Sequence, residues 1–89
     1  MQILRTELEQ RYDEPYCQTA VEQNGYMLQY VHNQTEAICL IAVKNDGDTL
    51  QYVHDQTEAI CQKAVKQNDY AIRFVSKPFW HLFENMISE

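Results

Sequence analysis

The sequence predicts an all-α fold: a short solenoid of about three 22-residue helical-hairpin repeats, closed by N- and C-terminal capping helices. Three observations predict it. The stretch QYVHNQTEAIC from Gln29 returns as QYVHDQTEAIC from Gln51, with one residue changed and a step of 22. With that step Cys17, Cys39 and Cys61 coincide, as do Ala20, Ala42 and Ala64, and Val21, Val43 and Val65. A period of this length marks stacked repeats. Finally, the chain holds only two glycines and two prolines, which disfavours a turn-rich β fold. Leucine-rich repeats share the period but need an L-x-x-L-x-L pattern that is absent.

The elements follow in order. Residues 1–12, with Leu4, Leu8 and Tyr12 at four-residue spacing, are expected to form the N-terminal cap. The first repeat, 13–34, opens on Asp13-Glu14-Pro15, and proline is tolerated in a first helical turn. The second, 35–56, opens on Thr35, whose hydroxyl suits an N-cap. Glu36 follows in the first turn, where negative charge favours the helix dipole. Ile38, Cys39, Ala42 and Val43 then make one apolar stripe. Gly25 and Gly47 suit the left-handed residue that ends a helix. A shorter second helix is expected over Asp48–His54, with Leu50 and Val53 inward and Tyr52 flanking. The third repeat, 57–78, repeats the grammar from Thr57 and Glu58. In the C-terminal cap, 79–89, a last helix over Pro78–Ile87 keeps the buried phase with Leu82, Phe83, Met86 and Ile87.

Composition bounds the function. Seven Lys and Arg face thirteen Asp and Glu, a net charge of −6. Such a surface repels phosphate, so direct nucleic-acid binding is not expected, and a protein partner with a basic surface is. No run approaches the roughly 20 apolar residues that span a membrane. The start, MQILRTELEQRY, is charged and lacks the apolar core of a signal peptide. With an odd count of three cysteines, these features place the chain in a reducing cytoplasm.

Catalytic chemistry is not expected. Cysteine zinc sites show C-x₂₋₄-C pairs, and none occurs. Each cysteine instead holds the same place on an apolar stripe, as a small core residue. His32 and His54 follow the Tyr-Val pair in two copies, where a helix end suits a donor ring. No cofactor, phosphate or nucleophile motif is present.

The wording of the repeat resembles a known family. Ala20-Val21-Glu22-Gln23-Asn24-Gly25 runs into Tyr26-Met27-Leu28-Gln29-Tyr30-Val31, and it recurs from Ala42 and from Ala64, with Asp69 in place of glycine. It is similar to the short tandem helical repeats of the A-V-K-x-N-G type, catalogued as a domain of unknown function in bacterial, protist and large-virus proteins. The resemblance covers about residues 13–76. It implies an all-α repeat fold and carries no catalytic residues.

The expected function is therefore a non-catalytic interaction module that binds a macromolecule and blocks or tethers it. Leu40 and Ile41 break the polar pattern of the other copies, Gln18-Thr19 and Gln62-Lys63, and are candidate apolar anchors. Trp80 stands where earlier copies have Glu14, Glu36 and Glu58, and tryptophan is favoured in binding hot spots. Glu36, Glu58 and Asp55 are the candidate acidic contacts, although dipole compensation also accounts for the glutamate row. Size and charge look similar to phage-encoded inhibitors of host defence, including anti-CRISPR proteins, which would act in a host cytoplasm. Two alternatives stand beside this reading. One is a structural, self-associating repeat protein joined through Leu40 and Ile41, and the other a metal- or redox-responsive module using the cysteines and histidines.

Overall fold

The computed structural model describes residues 14–87 of the chain. The expected N-terminal cap and Asp13 lie outside the described residues. Each repeat is an α-helix followed by a 3-10 helix (η), and no strand occurs among the described residues. The order is α1 Glu14–Gln23, η1 Gly25–Tyr30, α2 Glu36–Asn45, η2 Gly47–Tyr52, α3 Glu58–Gln67 and η3 Asp69–Phe74. A non-repeating end follows, η4 Lys77–Phe83 and α4 Glu84–Ile87. The α-helices stack in chain order, α1 on α2 on α3, and the 3-10 helices make a second layer, η1 on η2 on η3.

The expected N-caps are present. Thr35 Oγ1 accepts from the Ile38 N–H and Thr57 Oγ1 from the Ile60 N–H, each at 3.2 Å. Each such cap stabilises its helix by about 1 kcal/mol. At ten residues α2 and α3 are too short to persist alone. Their stability comes from the buried stripe, where Ile38, Ala42 and Val43, and one step on Ile60, Cys61 and Ala64, are within 1% of fully buried.

The expected helix ends differ from the observed ones. Neither glycine is left-handed, and no described residue has positive φ. The helices end instead on an extended polar residue. Asp46 has φ −156° and ψ 109°, and its N–H donates to Ala42 O at 2.9 Å. Its Oδ1 then accepts from the Asp48 N–H at 3.1 Å, so one residue closes α2 and opens η2. Asn24 and Asn68 open η1 and η3 in the same way. Glycine is needed for close approach rather than for handedness. A Cβ on Gly25 would stand 3.0 Å from the Ala42 carbonyl oxygen of the next repeat, and one on Gly47 would run into that of Ala64. Asp69, the third member of the series, already carries a side chain and is exposed.

The second helix of each hairpin is 3-10, not α. Its bonds run three residues back, as in Thr49 N–H to Asp46 O at 3.0 Å and Val53 N–H to Leu50 O at 3.1 Å. Leu28 and Leu50 are fully buried from this layer, with Val31, Val53 and Val75 close behind. Thr49, the one buried polar side chain among the described residues, donates to Asp46 O at 2.8 Å.

The single helix expected over Pro78–Ile87 is split into η4 and α4. Phe79 occupies the place of the capping threonines and offers no acceptor, and Ser76 makes no side-chain cap bond. Phe83 keeps the buried phase and Leu82 is half-buried, but Met86 is 43% exposed. No helix among the described residues is long and apolar enough to cross a membrane.

Candidate functional site

Two glutamines between the hairpins hold the array together. The Gln34 amide donates to Leu28 O at 3.3 Å in its own repeat and to Tyr52 O at 2.9 Å in the next. Its Oε1 accepts from Cys39 Sγ at 3.4 Å and from the His54 N–H at 2.9 Å. One amide thus ties the end of η1, the buried thiol of α2 and the end of η2. Gln56 repeats the lock one step on. It donates to Phe74 O at 2.8 Å and accepts from Cys61 Sγ at 3.2 Å and the Ser76 N–H at 2.8 Å. The repeated string contains both glutamines, but nothing local in it distinguishes a locking glutamine from a solvated one.

This lock shapes a polar groove of about 440 Å³ along the loops at residues 32–36 and 54–57. Its walls include His32, Asn33, Glu36, His54, Asp55 and Thr57, with Cys39 and Gln34 at the floor. Thr57 Oγ1 donates to Glu36 Oε2 at 2.8 Å, so the glutamate joins two repeats as well as facing the groove. A carboxylate has about four acceptor positions, and this bond uses one of them.

The predicted contact residues do not converge on one place. Glu36 and Asp55 share the groove. Glu58 is exposed in the first turn of α3, outside its lining. Leu40 and Ile41 are half-buried and packed against the core, so only part of each is open to a partner. Trp80 lies at the far end of the array. Its Nε1–H donates to Val75 O at 2.7 Å and the residue is 45% exposed. It lines a second, apolar groove of about 500 Å³ with Ile72, Arg73 and Phe83.

The cysteines are reduced and buried. Burial, with Asp55 and Glu36 adding negative charge, pushes the Cys39 thiol up to about 11. Burial alone pushes Cys61 to about 11. Both thiols therefore stay protonated at neutral pH, which suits a hydrogen-bond donor to glutamine and not a thiolate. Among the described residues, no three His, Cys, Asp or Glu side chains converge to hold a metal ion. Elsewhere between repeats, the Asn45 amide donates to Val21 O at 3.2 Å and Glu22 O at 3.1 Å. Tyr26 meets Tyr52 edge to face, with ring centroids 6.2 Å apart. The Tyr26 phenol is held above its ordinary value chiefly by its hydrogen bond with Asp46.

A family model described as a domain of unknown function (DUF4116) matches the chain twice, over residues 13–57 and 35–80. The two matches begin one repeat apart, so the model spans about two hairpins. No curated protein and no solved structure matches the chain.

Proposed function

The chain belongs to the DUF4116 family, and from that premise we propose that it is a non-catalytic binding module, acting in the cytoplasm, that holds a basic segment of a protein partner in the inter-repeat groove. The observation that carries this reading is the presence of both Glu36 and Asp55 in the lining of one groove, in a chain of net charge −6. Carboxylates so placed favour a guanidinium or ammonium group, and the amide and hydroxyl groups around them offer further bonds. Such a contact steers association and weakens with salt. Glu58 extends the acidic surface toward α3. Occupancy is then the mechanism: a stiff array seated on a basic surface blocks it or tethers it. The narrower reading, an inhibitor of a nucleic-acid-handling host protein of the anti-CRISPR kind, rests on size and charge alone.

The test is titration of the isotopically labelled chain with a hexa-arginine peptide, followed by amide chemical shifts. Shifts concentrated at residues 32–36 and 54–57, and lost in a folded Glu36→Gln/Asp55→Asn variant, support the groove. Shifts spread evenly over the acidic surface, or unchanged by the variant, overturn it.

A further inference from the structure

The 3-10 layer is left open at its C-terminal end. Between η1 and η2 the layer is sealed by Tyr26 against Tyr52, a residue in one repeat meeting one 26 positions on in the next. Tyr70 stands two repeats after Tyr26, in the same position of η3. Among the described residues no further repeat follows it, and η4 packs chiefly on α3. Tyr70 is accordingly 75% exposed. The apolar groove walled by Ile72, Trp80 and Phe83 lies between η3 and η4 at the same end of the array. At the other end, Tyr30 holds in η1 the place that Tyr52 holds in η2, and it is 55% exposed. The molecule thus presents one half of the aromatic pair at each end of its 3-10 layer.

Charge is polarised along the same axis. Residues 13–34 carry three acidic side chains and no Lys or Arg. Residues 57–78 carry Lys63, Lys66, Arg73 and Lys77 against two acids. Arg73 lies 4.9 Å from the Phe74 ring centroid and Lys77 6.0 Å from that of Trp80, so cations border the open groove. An acidic first repeat and a basic last one attract when copies meet end to end, and repel when like ends meet.

We propose that the chain associates head to tail, the outer face of η3 and its groove receiving the η1 face of a second copy, with Tyr70 of one copy against Tyr30 of the next. The contact is heterologous, so each copy keeps one free end and the assembly grows as an open row. It does not depend on the groove at Glu36 and Asp55, and it uses a different surface from Leu40 and Ile41. With η4 over α3, only the 3-10 layer is continued, which makes the interface small and reversible.

The test uses a blocked pair. Tyr30→Asp blocks the head, and Tyr70→Asp with Arg73→Glu blocks the tail. Tyr30, Tyr70 and Arg73 are all exposed, and circular dichroism with urea unfolding confirms that each variant folds. Sedimentation is then run on each chain alone and on their mixture, at concentrations up to about 1 mM, where weak contacts fill. The expected result is that each variant alone stays at the 10.5 kDa monomer mass while the equimolar mixture reaches twice it and no more. Salt near 1 M should reduce that mixed dimer. Dimers of the Tyr30→Asp chain alone would mean tail-to-tail contact and overturn the proposal. A mixture that stays monomeric, or a wild-type mass unchanged by all the blocks, overturns it as well.

Discussion

At the residue scale the lock at Gln34 has the clearest energetic consequence. Its carboxamide serves the Tyr52 carbonyl, the His54 N–H and the Cys39 thiol together. Truncation leaves these groups without their partner at a place only partly open to water. Gln34→Ala is expected to cost about 1–3 kcal/mol in urea unfolding, against less than about 0.5 for an exposed control such as Gln62→Ala. Gly47 makes a second case. Gly47→Ala forces a methyl against the Ala64 carbonyl and should cost about 1–3 kcal/mol, whereas Asp69→Ala, at the same repeat position but exposed, should be near neutral. The thiols add a pH dependence whose sign is fixed. Cys39 and Cys61 rise from an ordinary 9.0 to about 11 in the folded chain. The fold therefore favours the protonated thiol. That contribution is complete below about 9 and is lost as pH rises through 11. Urea midpoints should fall over that window, and fall less in a Cys39→Ala/Cys61→Ala chain compared with its own midpoint at pH 8; equal falls in both would refute the assignment.

At the element scale, helix starts were legible in the sequence and helix ends were not. A threonine hydroxyl caps its own helix within three residues, so Thr35 and Thr57 announce α2 and α3 locally. What ends each helix is an extended Asp or Asn that serves two elements, and what requires glycine there is a carbonyl one repeat away. Neither can be read from local grammar. The 3-10 character of η1, η2 and η3 was hidden for a related reason, since a six-residue segment is too short for periodicity to separate three from 3.6 residues per turn. The acidic contacts were half legible: repetition put Glu36 and Glu58 in one series, but only the structure pairs Glu36 with Thr57 and brings Asp55 into the lining of the same groove. That pairing distinguishes two otherwise equivalent caps. Thr35→Ala should cost about 1 kcal/mol. Thr57→Ala should cost more, because its hydroxyl also donates to Glu36. A double-mutant cycle of Thr57→Ala with Glu36→Ala isolates the difference, and a coupling indistinguishable from zero would show that the bond contributes nothing to stability.

At the scale of the whole molecule, the principal packing and bridging contacts of each hairpin are made with its immediate neighbours, so stability is expected to sum over repeats and the interfaces between them. Deletion of residues 35–56 tests this directly. The junction then reads Gln34-Thr57, which reproduces the native Gln56-Thr57. Gln34 would take over the contacts of Gln56 with Phe74, Cys61 and Ser76, and Gly25 would face Ala64 as Gly47 does now. Every inter-repeat bond in the shortened chain has a counterpart in the present one; what is lost is one hairpin and one interface. The shortened chain is expected to remain helical and to unfold cooperatively, with a lower urea midpoint and a shallower denaturant slope, because less surface is exposed on unfolding. Duplication of residues 35–56 should move both quantities the other way. A deleted chain without a cooperative transition would mean that the hairpins depend on contacts beyond their neighbours, and the solenoid description of the energetics would fail with it.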